Sequence, residues 1–382
     1  MNSAHVGKNV RRLMKLKGKT ITEMAGAIGL SSVALSNILA AKSAPKSGTL
    51  IKLSAYLHVP IDSLFIAPVA LHSVRFRSLH LLSAREKAAR EQVLVDVPHW
   101  LMNYQELERL LGRSNGHSLP DVAGLNEREA AHRIREIANM NDEEPISDVI
   151  ELVSLLGIKI RLHDFGMRRL FGLSIGSTDG GPAVVVNDNA ELSIERKIFT
   201  IAHELGHLLL HHDSYDEAAV PYGEDESEEI QANAFAGELL LPSAGLKKQW
   251  ENYKGLSFVD RVLAIKHVYK VSYKTVLYGM GRDGLCKGEG AQLYMNFAQG
   301  YKDCYGHDLK NHFEPSEGMQ LVAGVDPEPL QRWDLLSTEY EGLVRDAFKQ
   351  GHISLTKAAE LLSLDVAAMR KLQASWECDG DA

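Results

Sequence analysis

Cysteine is scarce in this chain of 382 residues: Cys286, Cys304 and Cys378 are the only three, and no two form a Cys-x-x-Cys pair. That excludes a disulfide framework and a cysteine-rich zinc ribbon, and it fits a reducing compartment. Long apolar runs are missing too. No stretch approaches the ~18 uninterrupted apolar residues of a membrane span, and the N-terminus lacks the apolar segment of a signal peptide. The expectation is a cytoplasmic protein, neither secreted nor membrane-bound. Internal repeats and low-complexity segments are also absent. What remains is an ordinary globular composition, 45% hydrophobic and 24% charged, on a chain long enough for two or three domains.

Acidic residues are nearly missing from one place. Before residue 70 there are two acids, Glu23 and Asp62, against nine bases from Lys8 to Lys52, a balance of +7. The whole chain carries −8, so the remainder carries −15 by subtraction. A basic head on an acidic body suits a polyanionic partner, although a solvated basic face would have the same composition.

The head itself reads as five short helices. Val6, Val10, Leu13 and Met14 recur at helical spacing up to Gly18. Thr20-Ile21-Thr22-Glu23 forms a capping box for a second helix, Gly29 permits a sharp turn, and Ser31 caps a third helix through Leu39. A fourth runs from Lys46 to His58, and Pro60 opens a short fifth through Phe65. Two short helices about a glycine turn match a helix-turn-helix.

On Val10-Arg11-Arg12-Leu13, Met24-Ala25, Ile28-Gly29-Leu30-Ser31, Leu35-Ser36-Asn37-Ile38, Pro45 and Leu50 to Leu64, the head resembles the Xre/Cro-type helix-turn-helix family. The resemblance implies DNA binding through residues 1–68, with Ser31, Ser32, Ser36, Asn37, Lys42 and Lys46 as candidate contacts. Members often place glutamine at the start of the second helix, where this chain has Ile21. The third helix offers no arginine, lysine or glutamine for bidentate base contacts, so phosphate contacts should dominate and sequence readout should be modest. The alternative is a dimerisation or docking module that no longer binds DNA, and a homodimer is compatible with either.

Residues 69–124 read as a charged helical connector, as in Ser83-Ala84-Arg85-Glu86-Lys87. A second compact unit follows over 125–285. It begins with a helix through Met140 and another from Pro145 to Leu156. Ile158 to Leu162 alternates as a strand, and Phe171–Ile175 with Ala183–Val186 flank Asp179-Gly180-Gly181 as a hairpin.

The chemistry is concentrated in the apolar helix expected over Ile194–His212, which contains His203-Glu204-Leu205-Gly206-His207. Histidines four apart project from one helical face and can bind one zinc ion. Glu204, one residue round, can act as general base on a water whose pKa the metal lowers to ~7. A catalytic zinc needs a third protein ligand. Glu229 in Glu228-Glu229-Ile230-Gln231-Ala232-Asn233 fits the Glu-x-x-Ala pattern of peptidases that use glutamate, and Glu228 is the alternative. Asn233 and His211 are candidates to hydrogen-bond a ligand. Tyr215, Tyr222 and His211 are candidates to stabilise an oxyanion. Cys286 or Cys304 could occupy the open metal position and hold the site latent, or be small buried hydrophobes. The strand Ala183–Asn187 is a candidate edge for an extended substrate, unless it is interior.

Residues 125–285 resemble the ImmA/IrrE family of zinc metallopeptidases. The carrying segments are Val184-Val185-Val186-Asn187, Phe199-Thr200-Ile201-Ala202 through the His-Glu motif to His211, and Glu229 to Ala236 leading to Leu239-Leu240-Leu241-Pro242. Arg75-Phe76-Arg77-Ser78 and Val271-Ser272 resemble proteins that join this peptidase to an Xre-type head. The resemblance implies metal ligands His203, His207 and Glu229, Glu204 as catalytic base, one zinc ion (Zn2+) per chain, and a helix-turn-helix repressor as protein substrate. The expected fold is α+β and mostly helical: the five-helix head, a zincin-like domain with a small sheet, and a helical region over 286–382 whose role the residues do not reveal. There, Leu355 to Leu362 and Leu364-Asp365-Val366 suggest two short helices without a basic face. The alternative to an enzyme is a transcriptional regulator or antitoxin in which zinc is structural or sensory.

Overall fold

The computed structural model describes residues 3–16, 18–57, 73–78, 83–113, 119–215, 226–286, 290–306, 330–336 and 338–378, with a few single positions between them. Packing divides the chain into two compact units, one from 1–71 with 80–100, the other from 72–79 with 101–382.

In the first unit, helices α1 (Ser3–Leu16), α2 (Ile21–Ile28), α3 (Ser32–Leu39) and α4 (Ser47–Leu57) enclose Val10, Leu13, Met24, Leu35 and Leu53. The capping box forms as its residues predict. Thr20 donates its N–H to Glu23 at 2.9 Å, and Glu23 returns its own to the Thr20 hydroxyl at 3.2 Å. Gly29, at φ +71°, then ends α2, and the chain bends by 109° into α3. This is the helix-turn-helix geometry. Of the expected fifth helix, Pro60, Asp62 and Ser63 lie outside the described residues, while Ile61, Leu64 and Phe65 lie in a turn in which Leu64 donates its N–H to the Ile61 carbonyl at 3.0 Å.

The connector differs from its expectation. Val74–Ser78 is not helical but a strand, β1, and it belongs to the sheet of the second unit. The reason is local: Val74-Arg75-Phe76-Arg77 alternates apolar and charged residues with the period of a strand. Ala84–Leu110, by contrast, is one helix, α5.

The second unit continues with α6 (Glu127–Ile137), α7 (Val149–Leu155), β2 (Lys159–His163), β3 (Leu170–Ile175), β4 (Ala183–Asn187), α8 (Ile194–Leu210) and α9 (Glu226–Leu240). The sheet runs β1-β3-β4-β2. β3 pairs antiparallel with β1 and β4, while β2 pairs parallel with β4. β4 is therefore interior and cannot be an edge that accepts a substrate strand, which corrects that expectation. Its unbroken Ala-Val-Val-Val run already suits a strand covered on both faces, and all five of its residues are buried. The edges are β1 and β2.

The sheet packs on α8, and α8 packs on α9, through a core that includes Val184, Val186, Ile201, Leu205, Phe235 and Leu239. Arg135, fully buried on α6, fixes the end of α9 by donating to the Leu239 carbonyl at 2.8 Å and to the Asn141 carbonyl at 2.6 Å. Charge on its guanidinium suits the negative end of a helix. Helices α10 (Ser243–Asn252), α11 (Phe258–Tyr269), α12 (Tyr273–Arg282) and α13 (Ala291–Tyr305) extend this core. The last region carries α14 (Glu339–Lys349), α15 (Leu355–Leu361) and α16 (Val366–Cys378), the last two where the sequence places them. Among the described residues no single helix is long and apolar enough to cross a membrane.

Candidate active site

Ser193 caps α8 by accepting the Arg196 N–H at 3.2 Å, and the helix carries its motif into the core. His203 and His207 are almost wholly buried, at 0% and 2% exposure, which is costly for polar rings unless their nitrogens are partnered. α9 supplies a partner because it comes very close to α8. A Cβ at Gly206 would lie 3.0 Å from the Phe235 ring and 3.3 Å from the Ala232 Cα. With glycine at 206 and alanine at 232, the Glu229 carboxylate reaches both rings. It lies 2.9 Å from His207 Nε2 and 3.4 Å from His203 Nε2, and the two Nε2 atoms are 3.0 Å apart.

That donor set fits zinc. Ligand atoms 2.0–2.1 Å from a tetrahedral centre lie roughly 3.3 Å from one another. The hydrogen bonds behind the rings select the right tautomers. Asn233 Oδ1 lies 3.1 Å from His203 Nδ1 and can only accept, so that nitrogen carries the proton and Nε2 keeps its lone pair. Gln231 Oε1, 2.8 Å from His211 Nε2, likewise makes His211 a donor there and an acceptor at Nδ1. His207 Nδ1, 3.0 Å from His211 Nδ1, must then donate, which leaves His207 Nε2 as a ligand atom. Burial also pushes the His207 pKa down and keeps its ring neutral, as ligation requires. For Glu229 burial works against ionisation, but its contacts with the His203 and His207 rings outweigh it and hold the carboxyl below the usual range, as a proton or a cation between the Nε2 atoms and the carboxylate would.

Glu204 sits beside this set, 1% exposed, and is oriented from the sheet. Ser174 on β3 donates its hydroxyl to Glu204 Oε2 at 2.5 Å, and Tyr215 donates its own to Ser174 at 2.8 Å. Burial, and then the Glu204 charge, push the Tyr215 phenol pKa up, so it stays a donor. Ser174 escaped the sequence reading. The period-2 pattern of Phe171 to Ile175 places it with Gly172 on one face of β3, but nothing local marks that face as the one against Glu204. Gln231 and Arg75 escaped it as well.

The other candidates fall as follows. Glu228 turns to Arg75 on β1, with which it forms a close ion pair, and accepts the Ser214 hydroxyl at 2.7 Å. It also lies within ligand distance of His207 and His211, although their facing Nδ1 atoms are joined by a hydrogen bond. Tyr215 and His211, considered as oxyanion donors, have their polar atoms in the bonds just described. Tyr222 lies outside the described residues. Among the described residues, neither Cys286 nor Cys304 joins the group of donor atoms formed by His203, His207 and Glu229. Cys286 instead packs at the margin of the core, where burial pushes its thiol pKa up and disfavours the metal-binding thiolate. In the head, Ser32, Ser36, Lys42 and Lys46 are exposed and Asn37 is half-buried. The Ser31 hydroxyl accepts the Ala34 N–H at 3.1 Å and so caps α3.

The fold and site thus define a helix-turn-helix regulator joined to a peptidase-like domain. Residues 154–280 match the family described as IrrE N-terminal-like domain, and residues 10–64 match the family described as Helix-turn-helix. The chain carries an ImmA/IrrE-like metallopeptidase-family domain fused to an N-terminal helix-turn-helix domain. No curated protein matches it. A solved structure of Bacillus thuringiensis PlcR with the peptide PapR7 and DNA aligns at 12% identity over 79% of this chain and 96% of that one, with a TM-score of 0.19.

Proposed function

We propose that this chain is a DNA-associated zinc endopeptidase that cleaves a transcriptional repressor or a similar regulatory protein. The observation that carries this reading is the Glu229 carboxylate set against both buried Nε2 atoms, with Glu204 beside them. His203, His207 and Glu229 would hold one zinc ion, leaving one position open as catalytic sites require. Zinc held there would supply Lewis acidity, making water a nucleophile near neutral pH and polarising the scissile carbonyl. Glu204 takes a proton from the attacking water and returns it to the leaving nitrogen. Ser174 and Tyr215 fix the carboxylate for that transfer, while Asn233 and the His211–Gln231 pair hold the imidazoles in the ligating tautomer.

The head, bounded near residue 68, would bring the peptidase of 125–285 to DNA-bound targets in a cytoplasmic circuit of stress, phage-defence or mobile-element control. The experiment measures zinc in wild type, Glu204→Gln and His207→Ala, and incubates each with the helix-turn-helix repressor encoded next to its gene. Zinc near one per chain in the first two, lost in the third, with cleavage by wild type alone, supports the peptidase. Zinc without cleavage, with and without DNA, favours a regulator with a structural or sensory metal.

A further inference from the structure

Helix α3 presents an unusual outward face. Leu35, Ile38 and Leu39 are buried, while Ser32, Val33 and Ser36 face solvent. Val33 is 71% exposed, the most exposed large hydrophobic side chain among the described residues. An isopropyl group in water adds nothing to folding, and a β-branched residue is a mediocre helix former. Single exposed apolar side chains are common on protein surfaces, and what distinguishes Val33 is where it stands.

The position of Val33 identifies the partner's chemistry. It is the second residue of the second helix of a helix-turn-helix, the end that reaches base edges in the major groove. The head carries a balance of +7, and Lys42 and Lys46 lie exposed just beyond α3, which suits contact with phosphate. α3 carries no arginine, lysine or glutamine that could fork to a base, and its one amide, Asn37, is half-buried towards the far end of the helix. The serine hydroxyls beside Val33 accept or donate with any base and discriminate little. The one group in the major groove that an isopropyl group can recognise is the C5-methyl of thymine.

We infer that Val33 is a specificity-determining residue that reads a thymine through its methyl group, so that the head selects a T·A pair by apolar contact. The inference rests on the DNA-binding reading of the head and goes beyond it.

The test selects binders of the full-length protein from a pool of randomised duplex DNA, then replaces each thymine of the selected site with deoxyuridine, which removes only the methyl. One thymine per head should be sensitive, losing about fourfold in affinity, the equivalent of about 0.8 kcal/mol for one buried methyl group. Val33→Ala, an exposed site where an unchanged Tm checks the fold, should weaken the thymine site by a similar factor and abolish the thymine–uracil difference. Uracil binding as well as thymine everywhere, or a difference that survives in Val33→Ala, overturns the inference and leaves DNA binding standing. So does salt-dependent binding with no enriched sequence. If no duplex binds at all, the DNA-binding reading falls with it. A dimer that becomes monomeric in Val33→Ala would instead make Val33 a contact between copies of the chain.

Discussion

Ser174 on β3 donates a hydrogen bond to Glu204 on α8 across 2.5 Å, and the two residues are 30 apart in sequence. A hydrogen bond to a charged, buried acceptor contributes about 1.5–3 kcal/mol, and here it also selects one carboxylate rotamer. Ser174→Ala is expected to lower kcat about tenfold or more on the cleaved repressor, with KM and zinc content unchanged. Tyr215→Phe removes the next bond out and should have a smaller effect in the same direction. Equal kcat in Ser174→Ala and wild type would remove the serine from any part in orienting Glu204.

Gly206 sets the distance between α8 and α9. Alanine there would favour the helix by about 1 kcal/mol, but its Cβ would meet the Phe235 ring at 3.0 Å and Ala232 at 3.3 Å. The expected result of Gly206→Ala is a displaced Glu229 and zinc affinity reduced about tenfold, read by competition with a chromophoric chelator. Phe235→Leu in the same chain should restore part of it. Zinc affinity equal to wild type would show that α9 yields without moving its ligand.

The hydrogen bonds behind the ligands make a separable prediction. Losing such a partner commonly costs 10–100-fold in metal affinity or activity. His211→Ala frees His207 to adopt the other tautomer, so it should weaken zinc binding within that range while leaving the apoprotein folded. Gln231→Leu should do the same less severely, since it acts through His211. Full zinc affinity in both variants would break the proposed chain.

Why the candidate metal-binding residues were legible and their supports were not follows from distance along the chain. His203, Glu204 and His207 share one helical turn, and Glu229 lies in a recognisable apolar helix, so local pattern sufficed. Ser174 contacts Glu204 only because β3 packs on α8, and Arg75 meets Glu228 only because β1 joins the sheet across nearly a hundred intervening residues. Strand pairing of that kind leaves a period-2 pattern in the sequence but no record of the partner. The same limit explains β4, whose unbroken apolar run was readable as a strand while its interior place depended on β2 and β3.

His99 on α5 supplies a pH dependence independent of the metal. Burial, and then the positive charge of Arg12, push its pKa below the ordinary 6.5, against a smaller opposite pull from Asp96. Above pH 6.5 the ring is neutral whether the chain is folded or not, and the fold loses nothing. As pH falls, the unfolded chain binds the proton first, so stability declines down to the folded-state pKa. Tm followed from about pH 7.5 to about pH 5.5 should therefore fall less steeply in His99→Gln than in wild type. Parallel profiles would show that His99 titrates alike in both states.

Lys42 and Lys46 lie exposed between α3 and α4. Each lysine on a phosphate releases about 0.9 counterion from duplex DNA, so the double alanine variant should lower the slope of log K against log salt by about 1.8. Because phosphate contacts are blind to sequence, the loss should be uniform across duplexes, and the preference at a thymine position should persist. Val33→Ala should behave oppositely, keeping the slope and losing the preference. A lysine variant that lost preference while keeping its slope would place those side chains on bases and move the reading face from the start of α3 to its end.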